Sequence, residues 1–362
     1  MPLRTSAAAL IAGMSLALTG CAVNEMPGGT TQAPGTSAAA LSGTLTGIGA
    51  SSQDVAQQTW IAGFQTDNQR VTVNYSPEGS GTGREAFIAG GADFAGSDRA
   101  YKPQEIADNE FVGCAADAKP LDLPVYISPI AVIFNVEGVK SLNMTPQTIA
   151  GIFKGSIAKW NDAAIAADNP GVTLPDLAIT AVHRSDTSGT TENFTDYLHD
   201  VAPEVWDAKA SGDWPYQGGE SAAQTQGVVA AVSGGVGTIG YVDASQASKF
   251  SIVSVGSNGK FNAPTAEAAA AVVANSPIEE GRAKGDLAIG LDRKAEGYPI
   301  VLVSYLIVCS DYAKDDVAGL VKAYATHIVS GSGQSAAAER AGSAPISATT
   351  REQVMASIES IK

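Results

Sequence analysis

The sequence predicts an α/β fold with mostly parallel sheets. Three observations carry that reading. From Leu41 onward, β-branched runs alternate with segments whose apolar residues recur at helical spacing. Of 362 residues, 44% are hydrophobic and only 16% charged, enough to bury a sizeable core. The 39 glycines make the chain rich in turns. At ~150 residues per domain, the length suggests about two domains.

The elements follow in order. LTGIGA (45–50) reads as a short strand with a turn, and residues 54–65 as a helix. RVTVNYS (70–76) is a β-branched strand, and a helix starts over 82–89 after a glycine-rich loop. ADFAGSD (92–98) runs from strand into loop. VYISPIAVIFNV (125–136) is a long β-rich run in which Pro129 suits a crossover or an edge. TPQTIAGIF (145–153) is a helix with proline in its first turn. LAITAVHRS (177–185) is a strand, and TTENFTDYLHD (190–200) the helix after it. A helix over 225–232 ends at Ser233-Gly234-Gly235, ahead of the strand GTIGYVD (237–243). YPIVLVSYLIVCS (298–310) is a long buried strand, and helices at 314–329 and 350–361 close the chain. No internal repeat stands out.

The first twenty residues read as a leader outside this body. Arg4 precedes a 12-residue apolar run, 7–18, too short to span a hydrocarbon core of ~30 Å as a helix but right for an export signal. Leu18-Thr19-Gly20-Cys21 resembles a bacterial lipobox, which implies cleavage before Cys21 and lipid attachment to its sulfur; the alternative is a signal peptide with an incidental cysteine. Residues 22–42, rich in Gly, Pro, Ser, Thr and Ala, read as a flexible tether with a reach on the order of 25 Å. The expected location is the extracytoplasmic face of the cell membrane, held by lipid alone. With Cys21 lipidated, Cys114 and Cys309 remain as an even pair in an oxidising compartment, and a disulfide between them is expected; the alternative is two buried thiols.

Net charge is −15, becoming −16 once Arg4 is removed with the leader. Nucleic acid and anionic membrane are excluded as partners, because both need clustered Lys and Arg. An anionic ligand is not excluded, since exposed charges are screened beyond ~8 Å and a site answers to what lines it.

Three loops carry chemistry. Glu78-Gly79-Ser80-Gly81-Thr82-Gly83 joins a strand to a helix, where backbone N–H groups and hydroxyls converge on a point that favours an anion. A plain turn and cap is the other reading. His183-Arg184-Ser185-Asp186-Thr187-Ser188-Gly189-Thr190 also links strand to helix. Arg184 offers a planar fork suited to oxyanions, with Asp186 near enough to orient it and Ser188, Gly189 and Thr190 at the first turn. Alternatively this is an N-cap box with a surface arginine. The third is Gly96-Ser97-Asp98-Arg99, at a strand end. Asp98 would repel an oxyanion unless that ligand carries a proton, which a carboxylate then accepts; phosphate keeps one at neutral pH and sulfate does not. Taken singly, such an aspartate is an ordinary turn former.

Together these loops resemble the phosphate-binding proteins of bacterial phosphate ABC transporters. The likeness rests on Thr46-Gly47-Ile48-Gly49-Ala50-Ser51-Ser52, EGSGTG, DFAGSD and RSDTSGT in order and spacing, with TPQTIAGIFKGSIAKWND and GGVGTIGYVD, and it covers most of residues 45–360. The resemblance implies a two-lobed periplasmic-binding-protein fold with a ligand cleft between the lobes, lobe 1 being 43–126 plus 259–362 and lobe 2 being 127–258. It implies hinge strands near 125–127 and 255–262. It implies that Ser51, Ser52, Ser80, Asp98, Arg184, Ser188, Gly189 and Thr190 surround phosphate, Asp98 accepting its proton, Arg184 pairing with an oxygen and Asp186 supporting that arginine. The family often has Thr-Phe where Ser51-Ser52 stand; Ser51 keeps the hydroxyl and Ser52 lacks the aromatic cover.

Enzyme chemistry is not expected. No G-x-S-x-G elbow or G-x-x-x-x-G-K-[ST] loop occurs, and His183, His199 and His327 show no metal-ligand spacing. Gly235–Gly240 matches G-x-G-x-x-G but follows a helix and leads into a strand, the reverse of a dinucleotide site. The expectation is a receptor, without metal or cofactor, that captures inorganic phosphate and hands it to ABC transporter permease subunits. Its competitors are a receptor for sulfate or molybdate and a surface phosphatase.

Overall fold

The computed structural model describes residues 41–362; the expected leader, Cys21 and most of the tether lie outside the described residues. The chain opens with β1 (Gly43–Gly49), a 3-10 turn over Ser51–Gln53, α1 (Asp54–Asp67), β2 (Val71–Ser76), α2 (Ser80–Ile88), β3 (Phe94–Ser97) and α3 (Pro103–Asp108). Next come β4 (Pro120–Asn135), β5 (Ser141–Met144), α4 (Pro146–Lys154), α5 (Ala163–Asp168), β6 (Thr180–Arg184), α6 (Gly189–Val201) and β7 (Glu220–Ala222). They are followed by α7 (Gln224–Gly234), β8 (Thr238–Asp243), β9 (Ser251–Ser257), β10 (Lys260–Asn262) and α8 (Ala266–Ala274). After a long irregular stretch, β11 (Val301–Cys309), α9 (Asp315–Val329), α10 (Gly331–Ala341) and α11 (Ala348–Ser360) end the fold.

One sheet path runs β2-β1-β3-β11-β4-β8-β6-β7, with β9 on β4 and β5 and β10 on β9. The expectation of mostly parallel sheets is corrected by the pairings. Five pairings are parallel and five antiparallel. Periodicity marks which segments are strands but not their direction. The antiparallel pairs include those made by β4 and β11, the two strands at the middle of the path. Both are buried almost end to end, which is why they read as unbroken apolar runs.

Pro129 marks a crossover. β4 pairs with β11 up to Pro129 and with β8 from Ile130, so the residue without an N–H sits where the partner changes. Pro124 lies at a second irregularity, where the β11 register shifts between Ser304 and Tyr305. The segment expected as a second hinge is a hairpin. β9 and β10 pair antiparallel around Asn258 and Gly259, both at positive φ, so the expected boundary at 258/259 falls in a turn within one sheet.

Two helices escape periodicity. α8 (AEAAAAVVA) has no polar face to contrast with, and Thr265 caps it by accepting from the Ala268 N–H. α10 (GSGQSAAAERA) reads as a loop, yet Ser330 caps it and Gly342 ends it in the left-handed region. The 82–89 helix begins two residues earlier than expected, so Ser80 lies in its first turn.

Cys114 and Cys309 form a disulfide across 195 residues, tying the end of β11 to the segment after α3. Chain entropy alone sets an upper contribution of about 5 kcal/mol for so long a loop.

Candidate phosphate site

Parallel strands place their carboxyl ends, and the helices that follow, at one edge. β1 delivers Ser51 and Ser52, and parallel β3 delivers Asp98 beside them. α2 presents Ser80 after Gly79, and β6 leads through Arg184 to the α6 N-terminus. All eight residues expected at the ligand come together, and each is buried.

Asp98, 2% exposed, is the centre. Its Oδ1 accepts from the hydroxyls of Ser52 (2.6 Å) and Ser304 (2.6 Å), and its Oδ2 from Thr190 (2.8 Å). Its backbone N–H donates to Ser80 Oγ at 3.1 Å. Every hydrogen bond to the carboxylate thus comes from an O–H donor.

Arg184, 3% exposed, aims Nε (2.7 Å) and Nη2 at Asp186, while Nη1 donates to no described residue. Asp186 Oδ1 also receives the Gln224 N–H at 2.9 Å. Burial opposes ionisation of Asp186, but the Arg184 hydrogen bonds and charge outweigh it and hold the carboxyl below its ordinary range. Gly79 makes room for this pair: at φ +104°, a Cβ there would lie 2.6 Å from Asp186 Oδ2. Arg184 is therefore a fork with one tine fixed and one free.

Helix termini complete the lining. Ser188 caps α6 by accepting from the Thr191 N–H at 3.1 Å, and the first N–H groups of α6, at Gly189 and Thr190, have no intrahelical partner. Ser51 Oγ meets Thr225 Oγ1 at 3.0 Å and accepts the Thr225 N–H at 3.1 Å, joining the 3-10 turn to the start of α7. A concentration of donors at two helix starts favours an anion. Arg99 points elsewhere, to Glu105 (2.6 Å) and Glu192 (2.7 Å). His183 stacks on Trp214 at 4.8 Å, its ring nitrogens meeting the carbonyls of Arg184 and Gly218.

Residues 34–332 match the model of a PBP superfamily domain. Phosphate-binding protein PstS 3 of Mycobacterium leprae is 35% identical over 295 residues, 80% of this chain and 79% of its own. Phosphate-binding protein PstS 2 of Mycobacterium tuberculosis is 30% identical over 375 residues, 98% of both chains. The chain belongs to the PstS family of the PBP superfamily. Solved structures share its fold. A high-affinity periplasmic phosphate-binding protein (PfluDING) bound with phosphate gives a TM-score of 0.69 at 21% identity, over 87% of this chain and 93% of that one. A phosphate-binding protein from Stenotrophomonas maltophilia gives 0.65 at 18%, over 87% and 94%. The architecture is the two-lobed one that the resemblance implied.

Four side chains of this PstS family member were not legible as site residues. Ser304 was hidden in an apolar strand, although a lone serine in a fully buried run signals a specific partner. Gln53 donates from Nε2 to Ser304 Oγ at 2.6 Å, turning that hydroxyl toward Asp98. Thr225 lies at the start of α7 and Asn193 on α6, neither of them within a motif.

A second buried carboxylate stands close by. Asp243 ends β8, and its Oδ1 accepts from Tyr126 Oη (3.0 Å) and the Ser245 N–H (2.9 Å), while Oδ2 is buried without a hydrogen bond. Burial, aided by the Asp98 charge, pushes its carboxyl up to about 6. The folded state therefore binds a proton that the unfolded chain, near 3.9, has lost. The resulting penalty is absent below about pH 4, grows through the interval, and is full above about pH 6. Asp243→Asn is expected to stabilise the protein at pH 8 by about 2–3 kcal/mol relative to its effect at pH 4. Urea unfolding across that range measures it; a difference independent of pH would remove this assignment.

Proposed function

We propose that this chain binds inorganic phosphate outside the membrane and delivers it to an ABC permease for import. The observation that carries the reading is Asp98: an acceptor-only carboxylate, ringed by hydroxyls, in a cleft whose other groups are anion donors. Only an oxyanion with a proton of its own satisfies both sides at once. Phosphate would sit with an O–H on Asp98, one oxygen on Arg184 Nη1, and others on the O–H groups of Ser51, Ser80 and Ser188 and the backbone N–H groups of Ser52, Gly189 and Thr190. The names of the PstS relatives and the phosphate bound in a solved neighbour support this choice of ligand.

Binding, not turnover, is the task. The two lobes close over the anion by bending β4 between Pro124 and Pro129, where its pairing changes. Cleavage before Cys21 and lipidation would hold the protein on the extracytoplasmic surface, with residues 22–42 as tether. Calorimetric titration of residues 22–362 with phosphate, sulfate and arsenate tests the reading. Tight phosphate binding without sulfate binding is expected; tighter sulfate binding would overturn it.

Closure brings Gly189 hard against the opposite wall. A Cβ at this position would lie 2.6 Å from Ser80 Oγ and 2.7 Å from Asp98 Cβ. Gly189→Ala is expected to cost about 1–3 kcal/mol of phosphate affinity by overpacking the closed state. Calorimetry on this variant checks it, and unaltered affinity would show that the gap is not closed around the ligand.

A further inference from the structure

We infer that Asn193, held by Arg293, fixes the distance between Asp98 and Gly189 and so gauges the size of the bound oxyanion. The inference rests on the phosphate reading and deepens it by naming a positioning residue outside the ligand's own contacts.

Asn193 lies one turn into α6 and is buried. Its Nδ2 donates to two main-chain carbonyls, Asp98 at 2.7 Å and Gly189 at 3.0 Å. Those carbonyls belong to the two walls that face each other across the site. One amide group therefore spans both, and its two N–H bonds have fixed length.

Arg293 determines which way that amide faces. Its Nη2 donates to Asn193 Oδ1 at 2.6 Å, so the Nδ2 end must turn to the carbonyls. The arginine is itself immobilised. Its Nε reaches Asp196 Oδ2 at 3.0 Å, and its Nη1 reaches the Val301 carbonyl at 2.5 Å, at the start of β11. β11 also carries Ser304, which donates to Asp98. Thus α6, the Asp98 loop and β11 are pinned through one buried amide–guanidinium pair. A cavity of about 420 Å³, lined in part by Asp98, Asn193 and Arg293, adjoins them, and at its edge Arg99 joins the Asp98 loop to Glu192 of α6 at 2.7 Å.

Arsenate supplies the probe. It has the charge and proton count of phosphate near neutral pH but is larger, so a rigid spacing discriminates where hydrogen-bond chemistry cannot. Asn193→Asp keeps size and the acceptor toward Arg293 but sets an oxygen against two carbonyl oxygens. Asn193→Leu removes both donors. Phosphate and arsenate affinities of the wild type and both variants are measured by calorimetry, with melting of each ligand-free protein. Both variants are expected to bind phosphate about ten-fold or more weakly, from two lost hydrogen bonds, and to lose arsenate affinity by less, so that the phosphate-to-arsenate ratio falls. Equal losses for the two anions, or no loss, would overturn the gauge while leaving phosphate binding intact. If Asn193→Leu does not fold, the isosteric Asn193→Asp decides. Failure of the wild type to bind phosphate would overturn the functional reading itself, and the gauge with it.

Discussion

Asp98→Asn is expected to narrow the preference for phosphate over sulfate by ~10⁴-fold or more. The size of the effect comes from an asymmetry of lone pairs and protons. The carboxylate holds only acceptors, and Ser52, Ser304 and Thr190 already donate to it. A phosphate O–H can join that set as another donor. Sulfate, with no proton, sets its oxygens directly against Asp98 in a buried site, where an unpaired like-charge contact is costly. Asparagine of the same shape supplies an N–H to either anion and removes the negative charge, so sulfate gains while phosphate loses its specific acceptor. The main-chain bonds of residue 98, to Ser80 Oγ and from Asn193 Nδ2, do not involve the side chain and persist. The change is thus one of discrimination rather than of folding. Competition titration with the two anions reads the ratio directly; an unchanged ratio would show that Asp98 does not meet the ligand's proton.

The parts of this site that were legible in the sequence are those written in local segments. RSDTSGT places an arginine, its carboxylate support and a capped helix start within seven residues, and each works locally: Arg184 on Asp186, Ser188 on the Thr191 N–H. What could not be read is what long-range pairing supplies. Ser304 reaches Asp98 across 206 residues, and Thr225 reaches Ser51 across 174. Arg293, in an irregular stretch with no motif, acts only because β11 returns beside Asp98. The same limit explains the fold. Apolar runs located β4 and β11, but nothing local encodes that they lie antiparallel in the middle of the sheet path. Ser52 shows both sides at once: the family resemblance implied a place at the ligand, and only the fold reveals the hydroxyl's partner, Asp98.

Arg184→Ala is expected to weaken phosphate binding by about 2–5 kcal/mol, or roughly 30- to 5,000-fold. Two losses contribute. The ligand gives up the free Nη1 donor, the one guanidinium nitrogen not spent on protein. Asp186 loses the arginine that holds its carboxyl below the ordinary range, and its remaining bond from the Gln224 N–H leaves a half-buried negative group near the entering anion. Lysine does not substitute, because a point ammonium cannot hold Asp186 with two nitrogens and present a third to the ligand. The two losses can be separated. Adding Asp186→Asn to Arg184→Ala removes the orphaned charge, so ligand-free stability is expected to recover toward the wild type while much of the affinity deficit stays. If affinity recovers together with stability, Arg184 serves only to neutralise Asp186. If Arg184→Ala alone binds phosphate normally, the anion lies elsewhere than in this cleft.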